Sequence, residues 1–302
     1  MDRRYFMYQS GLGLSSLAIS RMTDAIHTEQ SITESPLKYK SLKYGMIKED
    51  ISILDKFKLI KDLGFHGIEL DWPHKLDEKE VLEARDKTGI LLPGLVNSVH
   101  WKKPLSHPDP EIRQSCVDAT IEGLHKTKLY GGDTILLVAG VVNDDISYTD
   151  AWRRCTAEVK KILPAAHKTG VKIAIENVWN NFLISPLEAV QFIDQFDSDH
   201  IGWYFDVGNI LRYGWPKHWI EALGHRIIKV DIKDYSRKKQ TDEGIWEGFK
   251  VKLGDGDSDW TAVNKALSKI NYKSGWGSAE VSGGDRVRLR EISDRMDVLY
   301  GM

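Results

Sequence analysis

From Tyr44 onward the chain repeats one pattern eight times: a short run rich in β-branched and aromatic residues, then a longer stretch with apolar residues at helical spacing. The runs are KYGMI (43–47), GIELD (67–71), GLVNSV (94–99), DTILLVAG (133–140), VKIAIENV (171–178), IGWYFDV (201–207), RIIKVDIKD (226–234) and GWGSAEV (275–281). Between the first two, Ile53, Leu54, Phe57, Ile60 and Leu63 form a helical stripe that stops at Gly64. The third helical stretch has Pro110 in its first turn and ends at Gly131. Later helices open on Ser185 and on Ser258 or Asp259, all good N-caps. Pro164 is expected to kink the helix that contains it. Strands that alternate with helices must run parallel, and eight such units in one stretch predict a single-domain α/β fold, a closed (β/α)8 TIM barrel. An open doubly wound sheet would more often place a glycine-rich phosphate loop after its first strand, where this chain reads GMIKEDIS. GLGLSS at 11–16 has no strand before it and is a weak dinucleotide signal.

Parity along the strands then selects which side chains enter the barrel. In 171–178, Ile173 and Ile175 share one face and Lys172, Ala174 and Glu176 the other. Trp203, Phe205 and Val207 oppose Tyr204 and Asp206. Ile228, Val230 and Ile232 oppose Lys229, Asp231 and Lys233, and Ala279 and Val281 oppose Ser278 and Glu280. The apolar sets are expected to pack on the helices. The polar sets then converge at the C-terminal ends of the last four strands, the end at which barrels of this kind build their sites. Glu176, Asp206, Asp231 and Glu280 therefore meet in one low-dielectric mouth. Two like charges 4 Å apart cost about 4 kcal/mol even at an effective dielectric of ~20. A divalent cation relieves that directly, and an all-oxygen donor set suits Mn²⁺ or Mg²⁺. The competing account pairs these acids with Lys229, Lys233, Arg226 or Lys250.

Composition narrows the function classes. The 302-residue chain is 41% hydrophobic with a formal net charge of −2 and no basic block, so nothing draws it to nucleic acid. Cys116 and Cys155 form no CxxC pair and read as packing residues. No stretch of the mature chain reaches the ~18 uninterrupted apolar residues of a membrane span. Neither Gly-x-Ser-x-Gly nor a paired-histidine metal motif occurs, against a nucleophilic hydrolase or a zinc protease. DGDSDW (255–260) begins like a calcium loop but has Trp260 at its sixth position, so it reads as a turn and helix cap. Residues 1–40, with Arg3 and Arg4 ahead of a Gly/Ser/Leu stretch, read as a twin-arginine signal and spacer, leaving 41–302 for the barrel. That reading predicts a periplasmic or otherwise exported protein; an ordinary start would leave it cytoplasmic.

The segments IAIENVWNNFLISPLEAVQFID, IGWYFDVGNILRYGWP, RIIKVDIKDY, VKLGDGDSDW and SAEV, in that order, resemble the xylose isomerase-like superfamily of sugar phosphate isomerases and epimerases. The resemblance covers nearly all of the chain after about residue 40. It implies a TIM barrel and a divalent ion held by Glu, Asp, His and Glu from the last four strands, with the two glutamates exchanging protons with substrate. Glu176, Asp206 and Glu280 match in type; Asp231 stands where the family usually has His, and Asn209 where many relatives also have His. The chemistry so implied is isomerisation or epimerisation of a keto or aldo sugar through an enediolate, with Glu176 and Glu280 moving the protons. Glu69, His100, Trp101, Trp179 and Lys233 are substrate-binding candidates, and Lys252 is a weaker one. An exported protein would meet unphosphorylated sugars more readily than phosphorylated ones. A lyase or dehydratase acting on a keto-sugar derivative, and a non-catalytic sugar-binding barrel, are the alternatives. Self-association into a homo-oligomer is left open.

Overall fold

The structure, a computed structural model, describes residues 35–301. The twin-arginine reading of the N-terminus lies outside the described residues. Eight parallel strands close on themselves in sequence order: β1 (Tyr39–Lys43), β2 (Gly67–Trp72), β3 (Gly94–Asn97), β4 (Thr134–Leu137), β5 (Lys172–Glu176), β6 (Ile201–Asp206), β7 (Ile227–Ile232) and β8 (Trp276–Ala279). β8 pairs with β1 to seal the barrel. The helices are α1 (Ile53–Asp62), α2 (Glu78–Thr88), α3 (Pro110–Tyr130), α4 (Tyr148–Thr169), α5 (Pro186–Asp194), the single-turn α6 (Val207–Ile210), α7 (Pro216–Leu223), α8 (Arg237–Glu243), α9 (Trp260–Lys269) and α10 (Arg286–Tyr300).

The helix signals act as their chemistry requires. Ser185 and Glu188 form a reciprocal capping box on α5, satisfying two amide groups that the first turn leaves open. Pro110 occupies the start of α3, and Gly131 closes it at φ +85°, a conformation costly for any side chain. Asp259 caps α9 by accepting from the Ala262 amide. α4 continues through Pro164 to Thr169. Cys116 and Cys155 are free and buried.

Two elements differ from the sequence expectation. KYGMI is not the first strand: β1 lies four residues earlier, and Tyr44–Met46 form a 3-10 turn at its end. Lys43 therefore ends the strand instead of starting it. On β7, a register shift sets Trp203 opposite Ile227 and Tyr204 opposite Lys229, so Ile228 is an inserted residue. Ile228 packs with the small interior group of Leu136, Val138, Ala174, Val178 and Tyr204, while Val230 and Ile232 join the helix-facing core as expected. The bulge leaves Lys229 and Asp231 inward. No described helix is long and apolar enough to cross a membrane.

Candidate active site

The last residue of β5, the last of β6, the fifth of β7 and the residue after β8 bring Glu176, Asp206, Asp231 and Glu280 together. One carboxylate oxygen from each lies within 4.8 Å of all the others. The register explains the convergence: Glu176 is beside Tyr204, Asp206 beside Asp231 and Asp231 beside Ser278 on neighbouring strands. Asp206 and Asp231 are fully buried, and Glu176 nearly so. Asp206 also caps the turn after its strand by accepting from the Asn209 amide at 2.8 Å. Asn177 locks that corner, its amide donating to the Asp206 carbonyl and its Oδ1 accepting from Trp203 and from the Asp206 amide. Asn209 Nδ2 donates to the Asn177 carbonyl at 3.0 Å and reaches Glu176 Oε1 at 3.5 Å.

Two lysines enter the acidic cluster. Lys233 Nζ is 2.7 Å from Asp206 Oδ2 and also contacts Glu280. Lys43 Nζ is 2.9 Å from Asp231 Oδ1 and 2.6 Å from Glu69 Oε2. The other cations named as competitors go elsewhere: Arg226 pairs with Asp194, Lys250 with Glu247, and Lys229 with Glu69 and Asp133. Asp231 Oδ1 is paired with Lys43, and Asp231 Oδ2 has no hydrogen-bond partner among the described residues. A buried carboxylate in that condition is costly unless something cationic completes it. The acids accordingly sit away from their ordinary ionisation. Burial, then Glu280, Asp231 and Asp206, push the Glu176 carboxyl well up. Burial raises Asp231 in spite of Lys43, and raises Asp206 to about 6 against the pull of Lys233. Glu280 feels burial too, but Lys233 and Lys43 hold it below the usual range. A hard divalent cation fits this all-oxygen, charge-excess set.

Above the acids is a cavity of about 410 Å³ whose lining includes Glu176, Glu280, Lys233, Asn209, Trp101, Trp179, Trp246 and Phe249. Trp179 is fixed by its indole N–H to the Asn209 carbonyl and packs edge-on or tilted against Tyr235, Trp246 and Phe249. Trp101 and Trp246 are about two-thirds exposed and stand at the opening. His100 is buried against Trp101; its Nδ1 accepts from the Val138 amide, so its Nε2 carries the proton and has no partner. Burial pushes its pKa down to about 3, so it is a neutral donor. Glu69 is deeper: Tyr204 Oη donates to it at 2.8 Å, and Lys43 and Lys229 flank it. Lys252 pairs with Glu291 at the surface. Lys43 escapes the sequence pattern because KYGMI looks more like a strand than its own segment, Tyr39–Lys43, does, and Trp246 and Phe249 escape it because they lie at the short 3-10 turn Glu247–Phe249. A second cavity of about 470 Å³ opens by the first residues of β4, β5 and β7, away from the four acids.

The family model of the xylose isomerase-like TIM barrel matches residues 57–300. The chain belongs to that family. Among curated members, mannonate dehydratase of Streptococcus suis is 24% identical over 291 residues, covering 90% of this chain and 74% of that protein. An Escherichia coli L-ribulose-5-phosphate 3-epimerase is 24% identical over 237 residues, covering 72% of this chain and 78% of its own. Among solved structures of this fold, E. coli 3-keto-D-glucoside 4-epimerase superposes with a TM-score of 0.73 at 18% identity, covering 88% of this chain and all of that one. An L-ribulose 3-epimerase gives 0.73 at 16% identity, covering 88% and 95%.

Proposed function

We propose that this xylose isomerase-like barrel is a divalent-metal-dependent epimerase or isomerase of an unphosphorylated keto or aldo sugar. The observation that carries the reading is the convergence of four carboxylate oxygens within 4.8 Å of one another, among them the fully buried Asp231, whose Oδ2 has no hydrogen bond among the described residues. Glu176, Asp206, Asp231 and Glu280 would hold Mn²⁺ or Mg²⁺, which when bound supplies Lewis acidity that makes a C–H next to a sugar carbonyl easier to remove. Glu176 and Glu280 end strands separated by β6 and β7, so they approach a sugar in the cavity from different directions. One takes the proton and the other returns it, to the opposite face for epimerisation or to the next carbon for isomerisation. Trp101, Trp179, Trp246 and Phe249 offer flat apolar faces to the C–H side of a sugar ring, while the buried, unpartnered His100 Nε2–H lies behind Trp101 and outside the cavity lining.

The absence of phosphate from the substrate is supported by charge. Among the described lining residues Lys233 is the one cation, and two carboxylates already engage it. Export through a twin-arginine N-terminus would place the enzyme among such sugars. The relatives named above as epimerases support the reaction class. The likeness to mannonate dehydratase over 90% of the chain favours a second reading, dehydration, in which the same carbanion-type intermediate expels a neighbouring hydroxyl instead of regaining a proton. A screen of free aldoses, ketoses and keto-glycosides in deuterated water with Mn²⁺ separates the two. Deuterium on one carbon of an isomeric product supports epimerisation or isomerisation, and loss of water supports dehydration. Tight sugar binding with neither change, unaltered by Glu176→Gln, would leave a binding protein.

A further inference from the structure

We propose that Lys43 and Asp231 work as one unit of zero net charge, in which Lys43 holds one oxygen of Asp231 and leaves the other as a single neutralised donor to the ion site. The inference rests on the ion-site reading above and adds to it a residue from β1, outside the four strands that carry the acids. Lys43 ends β1 with its side chain inside the barrel and little exposed. Its ammonium is held from three directions: Asp231 Oδ1 at 2.9 Å, Glu69 Oε2 at 2.6 Å, and the Tyr204 ring 4.7 Å from its centroid. These three contacts tether it beside Asp231. Asp231 Oδ2 lacks a hydrogen bond among the described residues, and the Asp231 carboxylate contributes to the four-oxygen cluster.

The charge count points the same way. Five interior carboxylates, Glu69, Glu176, Asp206, Asp231 and Glu280, face three interior ammonium groups, Lys43, Lys229 and Lys233. In this set carboxylates outnumber ammonium groups, an imbalance of the sign that a cation relieves. Removing the charge of Asp231 alone leaves Lys43 repelling the ion through a low-dielectric interior. Removing both charges restores the count. Lys43 is thus a positioning residue whose effect depends on Asp231.

The test is Mn²⁺ affinity by calorimetry, with no turnover needed. Histidine is a neutral single-lone-pair donor, so Asp231→His removes the charge while keeping a ligand atom. The expected result is that Asp231→His weakens Mn²⁺ binding by about tenfold or more, and that adding Lys43→Met recovers affinity to within about threefold of the wild type. A double variant that binds as weakly as Asp231→His overturns the inference. Asp231→Asn with and without Lys43→Met repeats the charge test without the bulk of an imidazole, should Asp231→His fail to fold. In every Lys43→Met chain, Glu69 keeps Lys229 and Tyr204 as partners. Wild type that takes up no Mn²⁺ overturns the ion-site reading and this inference together; wild type that binds Mn²⁺ without the rescue overturns this inference alone.

Discussion

Two groups of buried acids share the barrel interior, and they are treated in opposite ways. Glu69 on β2 is closed off: Tyr204 donates to it, Lys43 and Lys229 flank it, and its pKa is held down to about 2. Glu176, Asp206, Asp231 and Glu280 at the ends of β5 to β8 are left with more negative charge than their lysines supply, and three of the four are pushed up. A fold that can satisfy one interior carboxylate so completely, yet leaves four others short a few ångströms away, separates charge that holds the barrel from charge that awaits a ligand.

The sharpest way to break this contrast is to remove a proton-moving acid. Glu176→Gln and Glu280→Gln should each lower kcat by about 10² to 10⁴, with the fold intact by circular dichroism. Full activity in either variant would refute the assigned roles. Glu69→Ala should do the reverse kind of damage. Breaking a buried ion pair costs about 3–5 kcal/mol, read as a lower denaturation midpoint. A change smaller than 1 kcal/mol would show that Glu69 is not the closed, structural acid described above.

The two groups also predict opposite pH behaviour. Groups with raised folded pKa values bind protons more tightly folded than unfolded, so Glu176, Asp206 and Asp231 make the metal-free protein less stable as pH climbs above about 4. Glu69 is depressed, so its contribution is complete above about 4.5 and fades as pH falls toward 2. Bound Mn²⁺ offsets the first effect, adding about 2.7 kcal/mol at a hundred times its Kd. The gap in Tm between Mn²⁺-loaded and chelator-treated protein should therefore widen from about pH 5 to 8; a constant gap would contradict the contrast. Trp246→Ala, at the cavity opening, should raise KM roughly fivefold with kcat nearly unchanged, the loss of one aromatic contact worth about 1 kcal/mol. An equal fall in kcat would move Trp246 from binding to chemistry.

The acidic cluster was legible because strand parity and strand ends alone place Glu176, Asp206, Asp231 and Glu280 on one rim. Lys43 was not, because Tyr44, Met46 and Ile47 look more like strand than Tyr39 to Lys43 do, and a four-residue slip moves a lysine from the interior end of a strand to its start. Ile228 defeated parity through a bulge that only the pairing with β6 reveals. Trp246 and Phe249 belong to a segment with no period; their place against Trp179 is set by tertiary packing. Asp234, next to Lys233 in sequence, belongs to neither group of acids: its carboxylate accepts from the Gly254 amide and from Ser258 and shapes the 254–258 turn.

Diffraction from crystals soaked in Mn²⁺, with anomalous data at the manganese edge, tests the central claim most directly. One ion per chain bound by oxygens of Glu176, Asp206, Asp231 and Glu280, with the Lys233 ammonium moved off Asp206, is the predicted result. Crystals that take up no manganese there, with Lys233 still seated between Asp206 and Glu280, would contradict it.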